Sequence, residues 1–294
     1  MEKLRVGFVG LGLMGSGMTK NLVSDGFPLL AYDIDQAKVD AAVAQGAKAA
    51  DAPSSMSQDV DVIILSLPNS HVVDEVVIKD LELLDPGKEG LILIDTTTAD
   101  PIMSAALAEK LRKKDIAMLD ATISGTSKMC AERDITFMVG GDEGAFKRCE
   151  AIFSTLAERT FYLGKNGSGA LMKLIVNLVL GLNRMVLAEG LSLGRKAGMD
   201  LHRLLDVLRN SAAYSRAMDM KGDKMVEEDF LPPEGKLAFH LKDVHLMLEL
   251  GRRLDVPLVL SSMHAQALTT QVAKGRGEWD NAAIISFYQD IAGI

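Results

Sequence analysis

Short apolar runs alternate with helix-like segments through the first half of the chain. The runs that read as strands are LRVGFVG from Leu4, LLAYD from Leu29, VDVIILSL from Val60, LILID from Leu91, AMLDATIS from Ala117, ITFMVGG from Ile135 and TFYLG from Thr160. Several are apolar at successive positions, which suits parallel strands covered on both faces. Between them, helical spacing is found at 15–24, 36–45, 102–113 and 143–156. Such βα alternation predicts a doubly wound α/β domain. The character changes at Gly164, where GKNGSG is rich in turn residues. A helical pattern then runs from Ala170 to Ala197, and shorter helices follow, with FLPPEG (Phe230–Gly235) as a loop between two of them. The pattern predicts an α/β domain over residues 1–163 and an all-helical domain over 164–294, joined by a long helix.

Composition narrows the function classes. The 294 residues are 48% apolar and 24% charged, ordinary globular usage. The formal net charge is −8 with no Lys/Arg-rich run, which argues against a nucleic-acid partner and an anionic membrane surface. A small anionic substrate needs only a few local cations and stays compatible. Cys130 and Cys149 are too few for a disulfide framework, and they predict a reducing compartment, the cytoplasm. Cys130 reads as a packing residue, with a reactive thiol as the other option. The strand that begins at Leu4 leaves no room for a targeting peptide. The most apolar stretch, Ala170–Leu187, is interrupted by Lys173, Asn177, Asn183 and Arg184, so no membrane span is expected.

The first candidate site is glycine-rich. Gly10-Leu11-Gly12-Leu13-Met14-Gly15 is a GxGxxG between a strand and a helix, and Asp33 ends the next strand. Gly10 permits the tight turn, Gly12 lets backbone approach a pyrophosphate, and Gly15 lets the helix pack on the strand. The helix N-terminus attracts phosphate. A carboxylate at Asp33 suits the ribose hydroxyls of NAD and repels the 2′-phosphate of NADP, and DIDQAK carries no Arg.

The second candidate lies in GALMKLIVNLVLG (Gly169–Gly181), where an amine and an amide interrupt an apolar helix. Lys173 and Asn177 are four residues apart and share a face. Oxidising an alcohol removes a hydride from carbon and a proton from oxygen. A partly desolvated Lys can move that proton near neutrality, and Asn can orient the substrate. The five histidines are scattered, without metal-ligand spacing, and no metal site is expected.

These motifs, together with LSLP (Leu65–Pro68), LIDTTTADP (Leu93–Pro101), DATISGT (Asp120–Thr126), GSGALMKLIVN (Gly167–Asn177) and LKD (Leu241–Asp243), resemble those of the β-hydroxyacid dehydrogenases over the whole chain. That group includes 3-hydroxyisobutyrate dehydrogenase and tartronate semialdehyde reductase. The resemblance implies a Rossmann domain, a long interdomain helix and an all-helical domain, assembled as a homodimer or homotetramer. It implies Lys173 as general acid/base and Asn177 as a substrate ligand. Ser124 and Gly125 would bind the substrate carboxylate, Leu67, Pro68 and Thr98 would touch the cofactor, and Lys242 would lie near the nicotinamide. The chain departs from the family loop DAPVSGG at Thr122 and Thr126, and the small residues that commonly follow are replaced by Ser127–Arg133. Thr126 is expected to narrow the substrate pocket. Lys128 either adds a cation beside that pocket or points to water. Two other readings stay open: an imine reductase on the same architecture, which Lys173 counts against, and a non-catalytic cofactor-binding interaction protein.

Overall fold

The computed structural model describes residues 3–85 and 90–294. Eight strands form one sheet: β1 (Val6–Val9), β2 (Leu29–Tyr32), β3 (Lys48–Ala49), β4 (Val62–Leu65), β5 (Ile92–Asp95), β6 (Ala117–Ser124), β7 (Thr136–Gly141) and β8 (Arg159–Tyr162). Their order is β3-β2-β1-β4-β5-β6-β7-β8, so the first six follow the Rossmann arrangement. All seven expected strands are present. The sequence reading omits β3, whose two exposed residues carry no apolar signal. Every pair is parallel except β6–β7, which is antiparallel. The reason is the connection over 125–135, which is too short for the dozen or more residues that a parallel crossover needs.

The successive apolar positions sort onto two faces. Val62 and Ile64 enter one core with Met18, Leu22, Ile152 and Phe153, while Ile63 and Leu65 enter another with Met56, Val73, Val77, Leu107 and Leu111. Helices thus cover both sides, and each buried aliphatic side chain contributes about 1.5–3 kcal/mol. The helical pattern at 143–156 is two helices, Glu143–Arg148 and Glu150–Leu156, which meet at Cys149.

The chain divides into two compact units, Met1–Lys173 and Leu174–Ile294. The division falls within the long helix Ser168–Lys196, later than the Gly164 turn. Its first turn belongs with the sheet because the N–H groups of Gly167 and Ala170 donate to the Asp120 carboxylate at 2.8 and 3.0 Å. This helix is long and apolar enough to cross a membrane, with a mean hydropathy of 1.6 over its most apolar window, a property that the core helix of a folded domain shares. Its polar residues mark it as a core element: Lys173, Asn177 and Arg184 fall on one face, and each is buried.

The second unit packs the helices Leu201–Arg209, Arg216–Glu227, Leu237–Arg253, Val259–Ala273 and Ile285–Ala292 around Leu187, Leu191, Leu205, Met225, Val244, Leu268 and Ile285. Lys221, only 3% exposed, pairs with Asp280 at 2.9 Å and Glu234 at 2.8 Å, which fastens the Phe230–Gly235 loop. Two opposed carboxylates compensate the buried ammonium.

Candidate active site

The order of strands reverses at β1 and β4, and ligands of open α/β sheets bind beyond the carboxyl ends of such strands. There Gly10 has φ +94°, and a Cβ on it would lie 2.3 Å from the Ser66 carbonyl oxygen. A Cβ on Gly15 would lie 2.0 Å from the Gly10 carbonyl oxygen, whereas one on Gly12 would meet nothing within 4 Å. Two glycines are therefore packing requirements, and the third leaves open space at the helix N-terminus. The helix begins at Leu13 and no side chain caps it. Its first N–H groups can serve an anion, and a pyrophosphate fits that donor set. Leu13 is exposed and Met14 partly buried, with its carbonyl 3.7 Å from the Cys130 thiol.

Asp33 follows β2 and meets the glycine loop. Its Oδ2 accepts from Leu11 N at 2.7 Å and its Oδ1 from Asp35 N at 2.9 Å, with Lys38 Nζ 3.6 Å away. The residue that would read the ribose thus also shapes the phosphate loop. A carboxylate has about four acceptor positions, so capacity remains for hydroxyls. Beyond the ends of β4 and β5, Leu67 N donates to Thr97 Oγ1 at 3.2 Å, and Thr96 donates its N–H and hydroxyl to the Leu65 carbonyl. Leu67 and Thr98 are half-buried and Pro68 is exposed, in the segments that follow β4 and β5.

Ser124 ends β6, and Gly125 follows with φ +150°, where a Cβ would lie 2.6 Å from Ile135. The Thr126 hydroxyl accepts from Met129 N at 3.3 Å and caps the short helix Ser127–Ala131. That is a structural use of a side chain read from sequence only as pocket wall. Lys128 is exposed. Cys130 is buried, and burial pushes its thiol up to about 11, so it packs as a thiol and is not a reactive thiolate.

Lys173 is 9% exposed and Asn177 8%. The first closes one compact unit and the second lies just inside the other, one helical turn on. Within the second unit, Asn177 Nδ2 donates to Asp243 Oδ2 at 2.9 Å, and Lys242 Nζ lies 3.2 Å from Asp243 Oδ1. Asn177 and Lys242, chosen separately from sequence, are therefore joined through Asp243. The histidines read as scattered are not all so: His240 and His264 are buried with ring centroids 5.1 Å apart. They pack on Gly181, where a Cβ would fall 2.4 Å from His240. Burial, and then the nearby Arg184, push His264 down to about 4. Burial also pushes Arg184 down to about 10, against the pull of Asp280 and Asp243.

The sequence reading assigned no role to Asp95, Asp120 or Asp243. Asp95 and Asp120 are register partners on β5 and β6, both buried. Burial raises Asp95 to about 7, and Asp120 adds to the rise. Burial also raises Asp120, against the backbone N–H groups that favour its ionised form. Charged residues within strand runs such as LILID and AMLDATIS were the available signal.

Residues 5–164 match the model of the NAD binding domain of 6-phosphogluconate dehydrogenase. Residues 167–288 match the NAD-binding domain of NADP-dependent 3-hydroxyisobutyrate dehydrogenase. The chain belongs to the β-hydroxyacid dehydrogenase family. It is thus an oxidoreductase with a nicotinamide-binding Rossmann domain and a helical second domain. Among its relatives, 2-(hydroxymethyl)glutarate dehydrogenase of Eubacterium barkeri is 32% identical over 100% of this chain and 98% of its own. The crystal structure of 3-hydroxyisobutyrate dehydrogenase from Salmonella typhimurium has a TM-score of 0.87 at 26% identity, covering 97% of this chain and 99% of that one. An imine reductase from Pseudomonas sp. shares the fold more remotely, with a TM-score of 0.64 at 19% identity over 97% and 99% of the two chains.

Proposed function

We propose that this dehydrogenase interconverts a short 3-hydroxy acid and its semialdehyde with NAD(H), and that Lys173 is the general acid/base. The observation that carries the reading is a buried amine, Lys173 at 9% exposure, one turn before an amide, Asn177, that Asp243 holds. Bound NAD supplies the hydride acceptor. Lys173 takes the hydroxyl proton in oxidation and returns it to the carbonyl oxygen in reduction, so that hydride and proton leave the alcohol together. Asn177 donates to or accepts from the substrate and fixes its orientation. Ser124 and the backbone at Gly125 bind its carboxylate. Asp33 favours NAD over NADP through charge and its place beside the glycine loop.

The relative that oxidises 2-(hydroxymethyl)glutarate supports a substrate whose reacting alcohol lies close to a carboxylate, with room for a second anion. Leu171, Ile175, Val179, Val186 and Leu193 leave an exposed apolar stripe on the long helix, which supports assembly as a homodimer or homotetramer. Lys173 disfavours the imine reductase reading.

The test is nicotinamide absorbance with a panel of 2-(hydroxymethyl)glutarate, 3-hydroxyisobutyrate, glycerate and 4-hydroxybutyrate, and cyclic imines as the contrast. Turnover of a hydroxy acid is expected, with Lys173→Ala lowering kcat about 10²–10⁴-fold and leaving NAD affinity in place. Turnover of imines alone, or a Lys173→Ala variant with wild-type kcat, overturns the reading.

A further inference from the structure

The first turn of the long helix is fastened to β6 more heavily than chain continuity requires. The Asp120 carboxylate accepts from Gly167 N at 2.8 Å through Oδ1 and from Ala170 N at 3.0 Å through Oδ2. Two residues on, the buried Thr122 hydroxyl donates to the Gly169 carbonyl at 2.8 Å. Asn166 Nδ2 donates to the Met118 carbonyl at 2.7 Å. One strand thus offers three partners in register, from Met118, Asp120 and Thr122, to the segment 166–170.

Close approach makes this possible, and it uses glycine on both sides. A Cβ on Gly169 would lie 2.1 Å from the Asp120 carbonyl oxygen and 2.5 Å from that of Met138. A Cβ on Gly140 would lie 2.7 Å from the Lys165 carbonyl oxygen and 2.9 Å from Asp120 Oδ1. No other residue fits at either position without moving backbone. Two anionic oxygens on N–H groups of a helix N-terminus also suit the helix dipole.

The position of Thr122 is informative. In an α-helix the carbonyl of residue i receives the N–H of residue i+4. The Gly169 carbonyl is therefore the one that receives the backbone N–H of Lys173. Thr122 donates to that same oxygen, and Ser124, the end of the same strand, lies two residues further on.

We propose that Thr122, supported by Asp120, is a positioning residue of the reaction: it sets the height and rotation of the Lys173 turn against the strand end that presents Ser124. This rests on Lys173 being the acid/base. A small displacement of a catalytic group is enough to slow chemistry while leaving the cofactor site, at β1, β2 and β4, undisturbed.

The test compares Thr122→Val, which keeps the shape and removes the hydroxyl, with Thr122→Ser, which keeps the hydroxyl. The assay uses the panel substrate that wild type turns over fastest. Thr122→Val is expected to lower kcat about tenfold to a hundredfold, with KM for NAD unchanged, while Thr122→Ser recovers to within about threefold of wild type. Independently of activity, hydrogen–deuterium exchange in peptides spanning 167–173 should quicken in Thr122→Val and in Asp120→Asn and stay at the wild-type rate in Thr122→Ser. Wild-type kcat in Thr122→Val, or equal defects in Val and Ser, overturns the proposal. So does unchanged exchange over 167–173. If Lys173→Ala retains activity or no panel substrate turns over, the functional reading fails, and the exchange measurement alone decides whether the joint exists.

Discussion

Asn177 donates its side-chain amide to the Asp243 carboxylate at 2.9 Å, across 66 residues of sequence. The bond fixes which face of the amide is left for a ligand. Asp243 is also 3.2 Å from Lys242, so one carboxylate orders both an amide and an ammonium. Asp243→Ala should release both and raise KM for the hydroxy acid about tenfold, the weight of one hydrogen bond to a charged group. Asp243→Asn keeps an acceptor for Asn177 and should be milder. Steady-state kinetics of the two variants check this, and equal defects would show that charge beside Lys242 matters more than the orientation of Asn177.

On the proposed reading, one substitution at Asp33 disturbs two things together. Replacing it with Ser removes a carboxylate expected to disfavour a 2′-phosphate and also the acceptor of Leu11 N. Asp33→Ser alone should weaken NAD without a matching gain for NADP. Adding Ile34→Arg should supply the gain, because Ile34 is 96% exposed and no core packing is lost. Fluorescence titration with NADH and NADPH measures the switch. Unchanged NADPH affinity in the folded double variant would place the 2′ position away from residues 33 and 34.

Lys128 stands exposed on the short helix after Gly125. Its contribution should therefore be small in general and visible only with a second anion on the substrate. Lys128→Ala is expected to raise KM for 2-(hydroxymethyl)glutarate more than for 3-hydroxyisobutyrate. Equal changes for the two acids would remove Lys128 from substrate recognition.

Local signals carried most of the fold. Strand β4 is apolar at every position and β5 at all but Asp95, and such successive apolar positions predict two covered faces, as the separate cores of Val62 and Ile63 show. The GxGxxG loop and Asp33 lie 18 positions apart in sequence, and the βα unit between them brings Leu11 N against the carboxylate. What stayed hidden depends on distant partners. Nothing near Asp120 announces that its oxygens will meet Gly167 and Ala170, nearly fifty residues on. The strand β7 was expected but its antiparallel direction was not, because its apolar run looks like that of a parallel strand and only the length of its connection tells them apart. His240 and His264 seemed unrelated because the surface that joins them is a glycine, Gly181, on a third helix.

The buried pair Asp95 and Asp120 is expected to give the protein a pH dependence of stability that one substitution should isolate. Asp95 is paired in register with Asp120 and is almost wholly buried. Thr97 compensates in part, first through its side chain and then through its backbone N–H, which donates at 2.9 Å. Burial raises the folded value of Asp95 from 3.8 to about 7. Between those limits the unfolded chain has lost the proton that the folded protein keeps, so stability falls as pH rises through this window and levels off above the folded value. Asp95→Asn keeps the acceptor for Thr97 and removes the ionisation. Relative to wild type, the variant should gain with pH between about 4 and 7, up to about 4 kcal/mol, and then hold a constant advantage. Thermal melts of both proteins from pH 4.5 to 8.5 measure the difference directly. A difference in melting temperature that stays flat over that range would mean that Asp95 is already ionised in the folded protein, held by Thr97 in spite of its burial.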